Sequence, residues 1–349
     1  MATDHTPEAF PLPLTDILNH PSADWQQQLR EVITSRTELL NMLGLSPSDV
    51  GLDEGAGDDF PLKVPRSFVQ RMRPGDPLDP LLLQVLSTYQ ETIAVAGYLH
   101  DPVGESGATV PQRGIIHKYR GRVLLIVSGG CAVNCRYCFR RHFPYRENQN
   151  SRAQWAEVLH YISADESIEE VILSGGDPLV ATDAVLGQLV EQIAAIAHVR
   201  RLRIHSRLPV VIPERITDSL LDVITNTALQ TVMVIHCNHA REIDNAVAAS
   251  ISAMRLRGIT MLNQAVLLAG VNDNLDAQLA LARRLFATGT LPYYLHLLDK
   301  VHGAAHFDVP ETKATQLLAE MTANLPGYMV PKLVREVAGA ASKVGLLPA

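Results

Sequence analysis

Cys131-Ala-Val-Asn-Cys135-Arg-Tyr-Cys138 places three thiols within eight residues, two glycines after the apolar run Arg122-Val-Leu-Leu-Ile-Val-Ser128. The one other cysteine of the chain is Cys237. Thiolates at CxxxCxxC spacing can ligate three irons of a four-iron, four-sulfur cluster. The fourth iron then lacks a protein ligand and is open to a small chelating molecule, and among cofactors of radical chemistry S-adenosylmethionine (SAM) is the natural candidate. Two plainer readings stand beside this one. A structural zinc knot would take His142 as its nearest further ligand, although such sites are almost always closed by protein ligands on every side. Unliganded thiols would serve as small core residues.

The chain has 349 residues, 47% of them hydrophobic, enough to bury a large core. Length alone suggests two or three domains, a count that barrel-like α/β folds often break. The start, Met-Ala-Thr-Asp-His-Thr, is polar and lacks the apolar stretch of a secretory signal. No apolar run is long enough to cross a bilayer. Cysteines clustered at ligand spacing point to a reducing compartment and a cofactor site, so a cytoplasmic location is expected. A net charge of -7 argues against general affinity for nucleic acid. Locally, Arg136, Arg140, Arg141, His142 and Arg146 interleave with Tyr137, Phe139, Phe143 and Tyr145, a pattern compatible with an RNA-binding strip. Because this strip begins inside the cysteine motif, it reads better as anion-binding lining of the same site.

Between 24 and 43, Leu29, Val32, Ile33, Leu39, Leu40 and Leu43 recur at helical spacing, and Gly44 stands where a C-terminal cap belongs. A glycine-bearing acidic linker and a proline-rich stretch follow, then a helix is expected from Pro80 to about Thr92. Residues 1–110 thus read as a helical, loop-rich N-terminal region with no chemistry of its own. Beyond it, β-branched apolar runs near 123–127, 170–173, 202–205, 231–235, 261–267 and 293–298 recur at the length of a βα unit. Helical patterns lie between them. One opens on the capping box Ser151-Arg-Ala-Gln154 with Trp155, Val158, Leu159 and Ile162 on one face, and another starts at Thr182 with Leu186, Leu189, Val190, Ile193 and Ile196 inward. Polar motifs follow each strand: the cysteines, Ser174-Gly-Gly-Asp-Pro178, His205-Ser-Arg207 and His236-Cys-Asn-His239. Gln264 sits in the fifth run, and Asp299-Lys300 follows the sixth. Sites at the carboxyl ends of parallel strands are a barrel feature. The expected fold is α/β, a partial, open TIM-type barrel of about six βα units over 111–310, with 311–349 as a C-terminal segment. His205, His236, His239 and His296 read as packing or hydrogen-bonding groups at strand ends.

Cys131xxxCys135xxCys138, Ser174-Gly-Gly-Asp-Pro-Leu179, the segment from Gln264 to Asp273 and Pro292-Tyr-Tyr-Leu-His-Leu-Leu-Asp299 together resemble the lysine 2,3-aminomutase family of radical SAM, pyridoxal-phosphate (PLP) enzymes. The resemblance runs from about Lys63 to Lys343. It implies a radical SAM fold and conversion of L-lysine to β-lysine with a [4Fe-4S] cluster, SAM and PLP. Cys131, Cys135 and Cys138 would hold the cluster; Ser174, Gly175, Gly176, Asp177 and Gln264 would bind cofactor. Gly339-Ala-Ala-Ser-Lys343 is similar to the family segment whose lysine carries PLP, here Lys343. Lys118 and Arg122 match the basic pair that binds the PLP phosphate, with Lys118 in place of an arginine. Arg140 matches the arginine that takes the substrate carboxylate, and Asp299 and Glu336 match two acidic positions that grip the ε-ammonium, the second longer by a methylene than the usual aspartate. Within the family the chain is most similar to the branch that modifies translation elongation factor P. Its implied partners are L-lysine, an external electron donor, elongation factor P and its lysyl-transferring ligase, with no nucleic acid and no membrane. The alternative is a catabolic lysine or other amino acid 2,3-aminomutase.

Overall fold

A computed structural model describes residues 24–51, 59–105, 109–145 and 152–348, with side chains from 155 onward in the last segment. Arg146 and the capping box of Ser151 and Gln154 lie outside what is described.

The helix expected over 24–43 is two helices, α1 (Trp25–Arg30) and α2 (Arg36–Leu43). Between them Ile33 exchanges backbone hydrogen bonds with Val64, at 2.8 and 3.0 Å, which pulls it out of helical register. Ser35 then restarts the helix by accepting from the Glu38 amide, and Gly44 ends it in the left-handed region at φ 64°. The helix expected from Pro80 to Thr92 is instead a series of turns that closes on a short 3₁₀ segment, Tyr89–Thr92. Asp79 explains the start, since its carboxylate caps the amides of Leu81 and Leu82, and the apolar residues Leu81, Leu82, Val85 and Leu86 are all buried.

Among the described residues one nine-stranded sheet forms the centre, in the order β1 (Ile115–Tyr119), β2 (Arg122–Ser128), β3 (Glu170–Gly175), β4 (Arg201–Ser206), β5 (Gln230–His236), β6 (Thr260–Val266), β7 (Leu291–His296), β8 (Lys332–Arg335) and β9 (Val344–Gly345). Strands β2 to β8 are parallel, and β1 and β9 run antiparallel along the two edges. The edges do not pair with each other, so the barrel is open as expected. Six crossover helices connect the parallel strands: α3 (Arg152–Ala164), α4 (Asp183–Ala194), α5 (Asp218–Thr225), α6 (Asn245–Leu256), α7 (Leu275–Ala287) and α8 (Glu311–Asn324). Each buries an apolar face against the sheet; in α4 this is Leu186, Leu189, Val190 and Ile193, capped by Thr182. The six expected strands are β2 to β7. Strand β8 was not visible because Lys332-Leu-Val-Arg335 is short and polar at both ends, so the sheet continues past residue 310 into the C-terminal segment. Among the described residues no helix is long and apolar enough to cross a membrane.

The N-terminal residues share the sheet's core, with Leu39, Phe68, Leu81 and Val85 in the same apolar cluster as Leu125 and Val171. They also clamp the cysteine loop. Glu91 accepts from Arg136 Nε and Nη2 at 2.7 and 2.5 Å and from Arg141 Nη2 at 3.0 Å, while the carbonyls of Lys63 and Gln84 accept from the amides of Asn134 and Arg136. Arg136 is fully buried and Arg140 and Arg141 nearly so, so these three guanidiniums are not presented to solvent. Removing the shared carboxylate strands buried Arg136 and leaves Arg141 with Asp59 alone. Glu91→Ala is therefore expected to cost on the order of 3 to 5 kcal/mol in anaerobic chemical denaturation, whereas Glu31→Ala on the exposed N-terminal helix end should change little.

Candidate active site

Every residue matched to a family role lines one cavity of about 1230 Å³ at the carboxyl ends of the strands; of the cationic strip expected to line it, Arg140 and Arg141 do, whereas Arg136 turns away to Glu91. Small-molecule pockets are typically about 300 to 1,000 Å³, so this space accommodates more than one ligand. The cysteines come from the loop after β2, Ser174 to Asp177 from the end of β3, Gln264 from β6, Asp299 from the loop after β7, and Glu336 and Lys343 from the turn between β8 and β9.

The three thiols are free and half-buried. Burial, with the neighbouring thiols and Asp177 adding, pushes Cys131 well above its ordinary value; burial and Cys135 push Cys138 up to about 12. Such thiols stay protonated until a metal takes the proton's place, because a coordinated thiol is deprotonated outright. Arg207 donates to Cys135 Sγ at 2.7 Å and is held by Tyr137, Gln84 and Glu242, a placement that suits a thiolate.

The turn Ser174-Gly-Gly-Asp177 packs directly on the cysteine loop. A Cβ on Gly176 would lie 2.5 Å from the Gly130 carbonyl oxygen and 3.0 Å from Cys131 Sγ; one on Gly175, at φ 116°, would lie 2.4 Å from the Ser128 oxygen. The glycines thus serve contact between two loops of the site. Asp177, expected at a cofactor, accepts from Ser206 Oγ and from the amides of Leu179, Arg207 and Leu208, so its oxygens are filled by protein donors that join the ends of β3 and β4.

The same cavity holds a chain of linked charges, buried at Glu105 and Arg140 and half-buried at Lys118, Glu336 and Lys343. Lys343 Nζ donates to Glu336 at 2.6 Å, Tyr119 donates to the other Glu336 oxygen, and Lys118 Nζ sits 3.5 Å from both Glu336 and Glu105. Glu105 receives Arg140 Nε and Nη2 at 2.6 and 2.9 Å. Burial opposes ionisation of both acids, but Lys343, Tyr119 and Lys118 bring Glu336 down to about 2, and Arg140 and Lys118 hold Glu105 below its ordinary value. Asp299 is the contrast. Burial, with Glu336 and Glu105 nearby, pushes it up to about 7. Lys118 is therefore already paired, whereas Arg122 stacks 4.7 Å from the Tyr119 ring.

Glu105, Tyr119, Arg203 and Arg207 were not anticipated as site residues. Glu105 stands in a region read as having no chemistry, and nothing in Gly104-Glu-Ser106 marks it. A signal did exist for Arg203. Arg201-Leu-Arg-Ile-His205 alternates polar and apolar residues in a strand central to a parallel sheet, where both faces are ordinarily apolar, so its polar face had to meet a cavity. His205, His236 and His296 line that cavity too, and burial drives each below its ordinary value.

The profile of the Radical SAM superfamily matches residues 125–275, the segment from β2 to the start of α7. An open parallel barrel with three cysteines after its first parallel strand is the arrangement of that class, and its cofactors are a [4Fe-4S] cluster and SAM. The L-lysine 2,3-aminomutase of Escherichia coli is 49% identical over 94% of this chain and 96% of its own, that of Haemophilus influenzae 47% over 92% and 94%, and that of Clostridium subterminale 30% over 93% and 78%. The chain belongs to the lysine 2,3-aminomutase family and is an isomerase of the radical SAM superfamily. Because Gly176 abuts the cysteine loop, Gly176→Ala should force a backbone shift costing about 1 to 3 kcal/mol. Iron per chain after anaerobic reconstitution is expected to fall well below wild type, with pyridoxal-phosphate content unchanged.

Proposed function

We propose that the protein is an L-lysine 2,3-aminomutase that converts L-lysine to β-lysine. The observation that carries this reading is the convergence of the cysteine loop, Arg140, Asp299, Glu336 and Lys343 on one cavity, together with the activity named for relatives that cover nearly the whole chain. Cys131, Cys135 and Cys138 would hold the cluster, and Lys343 the PLP. Bound there, the cofactors supply a radical that abstracts hydrogen from the substrate and a group that carries the migrating nitrogen.

The chain's own residues bind and orient. Arg140 presents a planar fork suited to the substrate carboxylate. Glu336 faces Lys343 across the β8–β9 turn; once that ammonium is committed to PLP, Glu336 is free to share the substrate ε-ammonium with Asp299. Arg122 stands on the Tyr119 ring where a phosphate can reach it. Ser174 Oγ and the Gly175 carbonyl accept from Arg140 Nη1 at 3.2 and 3.1 Å, which fixes the carboxylate site relative to the cysteine loop. An external donor would reduce the cluster. In the cell we place the enzyme in the cytoplasm, with β-lysine passed to the ligase that modifies elongation factor P, as resemblance to that branch implies. Deleting the gene should remove the β-lysyl mass from elongation factor P, and restoring it should bring the mass back.

Lys343→Ala should abolish the pyridoxal-phosphate absorbance while leaving iron content near wild type, since separate segments hold the two groups. The Asp299 carboxyl gives a pH signature. Its charged form binds the ε-ammonium, and in the free site it takes up a proton as pH falls through about 7. Lysine affinity is thus expected to weaken below that pH by up to about tenfold per unit, norleucine affinity should not, and Asp299→Asn should flatten the profile. Equilibrium binding titrations across pH 5.5 to 8.5 check this, about that range being where the change falls.

A further inference from the structure

Arg140 has little left to offer a substrate. Glu105 takes Nε and Nη2 in a bidentate pair, and Nη1 is divided between Ser174 Oγ and the Gly175 carbonyl. A planar carboxylate needs two parallel N–H groups of one guanidinium edge, and the Nε–Nη2 edge is filled by Glu105. Both partners are buried, at 7% and 8% exposure. The residues before Glu105 are fastened down: the Leu99 amide donates to the Lys300 carbonyl, the His302 amide to the Leu99 carbonyl, and Lys118 Nζ to the Val103 carbonyl.

Resting on the reading of Arg140 as the substrate-carboxylate site, we infer that Glu105 is an internal stand-in for the substrate carboxylate, which L-lysine must displace to bind. The displaced Glu105 stays near Lys118, 3.5 Å away, so its charge keeps a partner. Lysine affinity is then set by a competition, and the fraction of molecules with a free fork scales the apparent dissociation constant. A ligand without a carboxylate does not compete. Glu105 therefore favours α-amino acids only to the extent that their carboxylate outbids its own, and it holds the fork in shape while the site is empty.

The test uses PLP-loaded, cluster-reconstituted enzyme without reductant, and calorimetric binding of L-lysine and L-lysinamide. Glu105→Gln should tighten L-lysine by at least about tenfold and leave L-lysinamide within about twofold. Glu105→Asp keeps the charge but shortens the reach, and should also tighten L-lysine. If Glu105→Gln tightens both ligands, or Glu105→Asp matches wild type while Glu105→Gln does not, the effect is one of charge at a distance and displacement is wrong. Unchanged or weaker L-lysine binding in both variants, with retained thermal stability, overturns the inference alone. Arg140→Gln tests the reading beneath it: it should erase the preference for L-lysine over L-lysinamide, and a preference that survives would place the carboxylate site elsewhere.

Discussion

A single carboxylate, Glu91, pairs with two buried guanidiniums, Arg136 and Arg141, the second of which Asp59 also meets at 3.3 Å, and both of these flank the last cysteine of the motif. Buried charges persist only when paired and hydrogen-bonded. The cysteine loop therefore cannot take its shape without residues 59–91 wrapped around it, and the N-terminal region is part of the site's foundation. The same constraint reaches the far wall. Arg207 extends from the end of β4 to Cys135 while Glu242, Gln84 and Tyr137 hold its two terminal nitrogens, which links the ends of β2, β4 and β5.

The cavity is polar on one side and thiol-lined on the other, and this division follows from strand order. The early strands deliver the cysteines and the glycine turn, which press together at Gly176. The last two deliver Glu336 and Lys343, and β1 delivers Lys118 and Tyr119 from the opposite edge. Arg140, two residues after Cys138, bridges the halves: it reaches Ser174 and Gly175 on the cysteine side and Glu105 on the charged side. Two chemistries that must act on one substrate are thereby held at a fixed separation by side chains whose donors are already satisfied.

Much of this was legible in the sequence, and the limits were physical. Apolar, β-branched residues recurring at the length of a βα unit made β2 to β7 stand out, even where β4 alternates with polar residues, and motifs at their carboxyl ends located the cavity. Strands β1 and β8 carry polar residues toward that cavity and lost the apolar signature. Asp79, Ser35 and the Ile33–Val64 pairing broke the N-terminal helices by contacts distant in sequence or by caps that compete with periodicity. Glu91 and Glu105 had no local mark at all, because a buried carboxylate is defined by the guanidinium that meets it across the fold.

The two-residue strand β9 begins immediately after Lys343. Its backbone pairs with β8 through Val334↔Gly345 and Arg335↔Val344, and the Leu346 amide adds a bond to the Leu333 carbonyl. Without it, β8 would present an unpaired row of amides and carbonyls, the template for edge-to-edge aggregation. The segment that places Lys343 beside Glu336 thus also covers the edge of β8, so a change there alters the cavity and the sheet's exposed edge together.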